Sequence, residues 1–165
     1  MKSYIGLGSN SGDKFKNLQE AANRINDSSK LRVKKVSHVY ETRAVGIREQ
    51  PDFLNAAIEV ETLLDASELL QDCLRVEKEM GRTRTERWGP RNIDIDLLLY
   101  GNVVLKKKDL TVPHPLLHTR GFVLYPLSDI APDTVHPVLG LTMNELKAQV
   151  GQVGIRKIDE LKLDV

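Results

Sequence analysis

One cysteine, one tryptophan and a net charge of only +1 in 165 residues exclude several designs at once. A lone Cys73 allows no internal disulfide and no Cys-x-x-Cys metal pair, so crosslinks cannot organise this fold. With charge so nearly balanced, no global field steers the molecule, and any recognition of an anion must be local. Leu97 to Leu99 is far too short an apolar run to span a bilayer, which takes about 20 residues. Met1-Lys2-Ser3-Tyr4-Ile5 lacks the apolar centre of a secretion signal. Repeats and low-complexity segments are also missing. These absences lead to the expectation of a single domain over residues 1–165, working as a monomer in the cytoplasm. An apolar content of 41% and a charged content of 28% are those of a globular protein able to bury a core.

Periodicity supplies the elements. Ser3 to Leu7 reads as a short strand, with Gly6-Leu7-Gly8-Ser9-Asn10 turning into a helix. Those glycines match neither a dinucleotide fingerprint nor a phosphate loop, which leaves a turn with an N-cap as the simpler reading and phosphate contact as the alternative. Leu18, Ala21, Ala22 and Ile25 recur at helical spacing. Leu31 to Tyr40 alternates loosely as a second strand, and residues 41–52 form a long connection, either a plain surface loop or a lid. Phe53 to Leu63 alternates most clearly. Leu54, Ala56, Ile58 and Val60 share one face; Phe53, Asn55, Ala57, Glu59 and Glu61 share the other. Asp65 and Glu68 make a capping box for a helix that buries Ala66, Leu69, Leu70, Cys73 and Met80 and ends at Gly81.

Asn92 to Tyr100 reads as a further strand, Val103 to Leu105 as a short one, and Leu110 to Pro115 as extended because of its prolines. Phe122 to Ile130 reads as a short helix, and Thr142 to Glu145 as a helix start within an otherwise unpatterned C-terminal extension. The order strand, helix, strand, strand, helix, strand predicts an α+β domain of the ferredoxin-like, split βαβ kind. Its sheet is mainly antiparallel, with helices on its faces.

Arg82 to Asp96, RTRTERWGPRNIDID, carries the chemistry. Asp94 and Asp96 lie two apart on a strand, so they share a face with Cβ atoms roughly 7 Å apart. Ile93, Ile95 and Leu97 point the other way, towards a core. Neighbouring ionised carboxylates repel, and a divalent cation removes the conflict. Mg2+ suits a site with few protein ligands, since it fills its shell with water and phosphate oxygens. Two such ions about 3.5–4 Å apart are a known clamp for in-line phosphoryl displacement. Pairing with the upstream arginines is the alternative, but a surface pair is worth about 0–1 kcal/mol. Arg82, Arg84, Arg87 and Arg91 offer forked donors for phosphate oxygens. Trp88, before Gly89-Pro90, is either a mobile cover over substrate or an ordinary buried tryptophan. His114 and Arg120 add positive donors if the fold brings them to the same sheet edge. Phe53 beside Asn55 can stack on and hydrogen-bond a flat heterocycle, or simply mark a strand entry.

The runs YIGLGSN, EQPDFLNAA, RWGPRNIDIDLLLYG and LTVPHPLLHTRGFVLYPL together resemble the 6-hydroxymethyl-7,8-dihydropterin pyrophosphokinases of folate biosynthesis, up to about Pro137. The resemblance implies an ATP-dependent diphosphotransferase. It would move the β,γ-pyrophosphoryl unit of ATP onto the pterin hydroxymethyl oxygen and leave AMP. Asp94 and Asp96 would hold two Mg2+ ions, and Arg82 and Arg91 would meet the reacting phosphates. Arg84 and Trp88 would close over them, with His114 and Arg120 on the far phosphates. Adenine would meet backbone near Leu98 and Thr111, with Glu77 on the ribose side. The pterin would lie between Phe53 and Phe122, read by Asn55 and by backbone from Thr42 to Val45, with Trp88 above.

Arg43, Pro115 and Asp109 depart from the family pattern, and Lys106 to Lys108 are candidates to compensate for Asp109. An RNA-binding module, the rival on this fold, would need aromatics on the sheet face where Asp94 and Asp96 stand. Neither nucleic acid nor membrane is therefore an expected partner.

Overall fold

Alternating apolar residues divide the molecule into two packed layers about one sheet. The computed structural model describes residues 1–42, 52–81, 92–152 and 154–162. Its elements are β1 (Lys2–Ser9), α1 (Lys14–Asn26), β2 (Leu31–Val36), β3 (His38–Thr42), β4 (Phe53–Thr62) and α2 (Ala66–Glu79). They continue with β5 (Asp94–Tyr100), β6 (Leu105–Lys106), β7 (Thr111–Val112), a 3-10 turn at Leu117–Thr119, α3 (Gly121–Ile130), α4 (Met143–Val150) and β8 (Ile155–Glu160). The sheet runs β5-β1-β4-β3-β8, with β2 beside β4 and all these pairings antiparallel; β6 and β7 form a separate ribbon. This is the expected ferredoxin-like α+β order, extended by one strand.

On one face, Ile5, Leu7, Ile58 and Val60 pack with Leu18 and Ile25 of α1 and Leu69 and Cys73 of α2. On the other, Tyr4, Ala57, Leu98 and Leu99 pack with Leu124 and Leu127 of α3 and Met143 and Leu146 of α4. Each large side chain so buried contributes about 1.5–3 kcal/mol. Local rules set the helix starts. Asp13 accepts from Lys16 N at α1, and reciprocal capping boxes, Asp65 with Glu68 and Thr142 with Glu145, begin α2 and α4.

Several boundaries differ from expectation for identifiable reasons. β1 runs through to Ser9, so Gly6 and Gly8 are strand residues and not a turn. The strand expected from Leu31 to Tyr40 is broken at Ser37, whose Oγ accepts the Ala57 N–H at 2.8 Å while its own N–H donates to Ala57 O at 3.0 Å. The short strand placed at Val103 to Leu105 is instead Leu105–Lys106, after a turn at Gly101. β8 was not anticipated, because its side chains after Ile155 are all exposed and leave no alternation to read.

β5 carries a bulge. Its pairing passes from Ile5↔Leu97 to Tyr4↔Leu99, which leaves Leu98 extra and turns Leu98 and Leu99 to the same core. Cys73 is buried, and burial pushes its thiol far above the reactive range, as expected of a core residue.

His136 is 4% exposed, and its Nδ1 accepts from Val138 N at 3.2 Å and Leu139 N at 3.1 Å. Burial, then His118, hold the ring below the ordinary 6.5. Protonation would destroy both acceptances. The stability from the neutral ring is therefore full above about pH 6.5 and is lost as pH falls below it towards the lowered folded value. Urea midpoints are expected to fall from pH 7.5 to pH 5, with a shallower fall in His136→Asn, whose amide oxygen accepts without titrating. An equal fall in both proteins would contradict this.

Candidate active site

β1 provides no side chains where the site needs room. Gly8 stands between Asp94 on β5 and Asn55 on β4, and Gly6 between Asp96 and Ala57. These residues share the face on which Tyr4 and Ala57 meet α3 and α4. A glycine floor, two strand spacings or about 10 Å across, thus joins the carboxylates to the Asn55 amide; Gly8 in it is buried and Gly6 half-buried. A Cβ on Gly8 would stand 3.0 Å from Asn55 Oδ1 and 3.8 Å from the Phe53 ring; one on Gly6 would stand 3.4 Å from Leu98. Glycine at position 8 thus leaves room for the Asn55 amide, and at position 6 for the Leu98 side chain. Sequence reasoning missed this, although glycines two apart on a strand opposite two acids two apart were the available signal.

At the far side of the floor, Asn55 is buried and its Nδ2 donates to Thr42 Oγ1 at 2.8 Å. Thr42 pairs with Phe53 across β3 and β4. The fold therefore gathers Thr42, Phe53 and Asn55, as expected, into one amide-and-aromatic corner. Phe122 enters at the first turn of α3, half-buried against the second core.

At the near side, Asp94 is half-buried and Asp96 is exposed. The strand carrying them is anchored to the end of α2. Asn92 Nδ2 donates to Met80 O at 2.6 Å, and Ile95 N–H donates to Glu77 Oε2 at 2.7 Å. Glu77 was expected on the ribose side of ATP. It is only 5% exposed, and it fixes the amide that lies between the two acids. Hydrogen bonds to a charged group of this kind are worth about 1.5–3 kcal/mol.

The bulge delivers the next group. His114 N–H donates to Leu98 O at 2.9 Å, which ties the segment after β7 back to β5. Leu98 is only 1% exposed and its carbonyl already accepts from His114, whereas Thr111 is half-buried in β7. His114 Nδ1 accepts from Leu116 N at 3.2 Å, and burial followed by the Arg120 charge lower the ring below its ordinary value. His114 is thus a neutral donor through Nε2, a correction to the positive charge expected of it. The Arg120 guanidinium lies 5.4 Å from the Phe122 ring centroid, a cation–π contact linking a residue expected at phosphate to one expected at pterin. Lys106 to Lys108 are exposed on the β6–β7 ribbon. Arg82, Arg84, Trp88, Arg91 and Val45 lie outside the described residues.

Among the described residues no cluster of three or more His, Cys, Asp or Glu could cage a metal. Asp94 and Asp96, on one strand face and with Asp96 exposed, still fit Mg2+, which takes few protein ligands and completes its shell from water and phosphate.

Paired acids on β5 and an amide-and-aromatic corner on β3 and β4 thus share one face of a ferredoxin-like sheet. A family model described as 7,8-dihydro-6-hydroxymethylpterin-pyrophosphokinase (HPPK) matches residues 4–132. The chain belongs to this HPPK family. It is 42% identical over 146 residues to a 2-amino-4-hydroxy-6-hydroxymethyldihydropteridine pyrophosphokinase of Aquifex aeolicus, covering 88% of this chain and 90% of that one. A Bacillus subtilis protein of the same name is 45% identical over 127 residues, 77% of this chain and 76% of that one. The match to the Dictyostelium discoideum folic acid synthesis protein FOL1 is 42% identical and covers 92% of this chain but only 23% of the relative. Among solved structures, a Plasmodium falciparum HPPK-DHPS triple mutant with pteroate superposes with a TM-score of 0.75 at 15% identity. That match covers 95% of this chain and 46% of the other, so this chain spans less than half of its length.

Glu77→Ala removes the acceptor of the Ile95 amide, whereas Glu77→Gln keeps one. Hydrogen exchange at Ile95 is expected to speed up at least several-fold in the alanine variant, with weaker binding of magnesium nucleotide. Both should stay near wild type in the glutamine variant. A glutamine variant as impaired as alanine would place the importance in the charge and not in the hydrogen bond.

Proposed function

We propose that this chain transfers the β,γ-pyrophosphoryl group of ATP to the hydroxymethyl oxygen of 6-hydroxymethyl-7,8-dihydropterin, giving AMP and the pterin diphosphate for folate biosynthesis. Membership of the HPPK family names the reaction. The observation that carries its assignment to these residues is the glycine floor, which runs from Asp94 and Asp96 to the corner of Thr42, Phe53 and Asn55.

In this reading Asn55, oriented by Thr42, hydrogen-bonds the amide-like edge of the pterin, and Phe53 and Phe122 sandwich its rings. The hydroxymethyl group is then directed at the acids. Its oxygen forms a bond to the β-phosphorus while the bond from that phosphorus to the α,β-bridging oxygen breaks, and AMP leaves with that oxygen. Asp96, the more exposed acid, accepts the hydroxyl proton or passes it to water. Asp94 and Asp96 hold two Mg2+ ions, which when bound draw phosphate charge together and stabilise the charge that shifts to the leaving oxygen. Arg82 and Arg91 grip the reacting phosphates, with Arg91 nearer the transferred group, and Arg84 and Trp88 cover them. His114 gives a neutral Nε2–H and Arg120 a full charge to the remaining phosphates. Adenine rests against backbone near Leu98 and Thr111. The 165 residues act as one domain and as a cytoplasmic monomer, taking ATP and the pterin and neither nucleic acid nor membrane; no described helix is long and apolar enough to cross a bilayer.

Incubation with ATP, magnesium and the hydroxymethyl pterin is expected to yield AMP; ADP as the nucleotide product would refute pyrophosphoryl transfer. Asp96→Ala should lower turnover by several decades with an unchanged circular dichroism spectrum. Activity kept in that variant would remove Asp96 from the metal site.

A further inference from the structure

The chain beyond residue 132 lies outside the family match, yet it reaches the corner expected to hold the pterin. β8 pairs with β3 so that Ile155 stands opposite Thr42 and Lys157 opposite Tyr40. The Lys157 ammonium sits 5.9 Å from the Tyr40 ring centroid, on the side of the sheet where Tyr40 bonds Asp129 of α3. Ile155, two residues earlier, projects to that same side. There it meets Gly121, the first residue of α3, between Arg120 and Phe122. A Cβ on Gly121 would overlap Ile155 Cδ1, and would stand 3.7 Å from Val150 Cγ2. The start of α3 therefore rests on β8 with a single side chain between them.

We propose that Ile155 is a positioning residue for the pterin pocket: β8 sets the gap between Thr42 on the sheet and Phe122 on α3. This rests on the HPPK reading above. Two features support it. β8 covers what would otherwise be the free edge of β3, at the strand end that holds Thr42 against Asn55. The tail is also tied to both walls, through Arg156 to Glu41 of β3 at 2.7 Å and through the Tyr125 hydroxyl of α3 to Gly151 O at 3.0 Å. Gly121 is thus small because Ile155 occupies the place of its side chain. On the nucleotide side, β5 lies at the opposite edge of the sheet and His114 is tied to it, so Arg120, next to Gly121, is the one residue expected at phosphate that adjoins this wedge.

A reciprocal size swap tests this by calorimetric binding of pterin and of magnesium nucleotide, with KM and kcat measured alongside. Gly121→Ala should weaken pterin binding about tenfold, the scale on which directly touching residues couple, and weaken nucleotide binding clearly less, since of the nucleotide contacts only Arg120 adjoins the substitution. Ile155→Val deletes only Cδ1, the atom that the new methyl would meet. The double variant Gly121→Ala, Ile155→Val should therefore recover most of the pterin affinity. Failure of the second substitution to relieve the first, or equal losses for pterin and nucleotide, would overturn the proposal. A wild-type protein that binds no pterin would overturn the family reading and this proposal together. Wild-type binding without coupling would overturn this proposal alone.

Discussion

β1 pairs on both of its edges, with β4 from Lys2↔Glu61 to Ser9↔Leu54 and with β5 from Ser3↔Tyr100 to Gly8↔Asp94, and this double register carries the rest of the site. A slip of one residue on either side would send Asp94 and Asp96 into the α1–α2 core, or Asn55 away from Thr42. The register is held by burial: Ile5, Leu7, Ile58 and Ile95 have no polar alternative and pack under α1 and α2. One face of the sheet is thus closed by apolar packing against α1 and α2, while the other shares its length between the α3–α4 core and the polar residues Asp94, Asp96, Asn55 and Thr42. Glu77 and Asn92 add the local restraint that an edge strand lacks, since β5 has no sheet neighbour beyond it.

What could be read from residue order alone followed the physics of each signal. The shared face of Asp94 and Asp96 was legible because strand side chains alternate strictly and the bulge at Leu98 comes only after them. Capping boxes at Asp65 and Thr142 were legible because their bonds span three residues. Two features were not. β8 alternates nothing, being exposed along almost its whole length, and its partner lies more than a hundred residues away. Glu77 sits four residues from Cys73 and could be placed near the buried stripe, but an acid on a helix gives no sign that it will accept a distant strand amide. His114 showed the same difficulty: its burial in the fold, with Arg120 beside it, lowers the ring below its ordinary value.

The two halves of the site differ in construction. Asn55 and Thr42 sit on central, doubly paired strands and satisfy each other directly, which suits recognition of one rigid ring. The acids occupy an edge strand, and His114 and Arg120 come from short irregular segments after it. A flexible polyphosphate tolerates such a lining better than a flat heterocycle would, because its charge can be met from many directions.

The extra residue at Leu98 acts as a phase change within one strand. Before it, odd positions of β5 belong to the core and even ones to the open face; after it the rule inverts, so Leu99 is buried beneath α3 and Tyr100 turns back towards the first layer. A seven-residue strand thereby holds two vocabularies, one of function and one of packing, with the boundary at a single residue. Sequence drift is then partitioned as well: under the proposed function, changes at Asp94 or Asp96 act on the reaction, whereas changes at Leu98 or Leu99 act first on the second core.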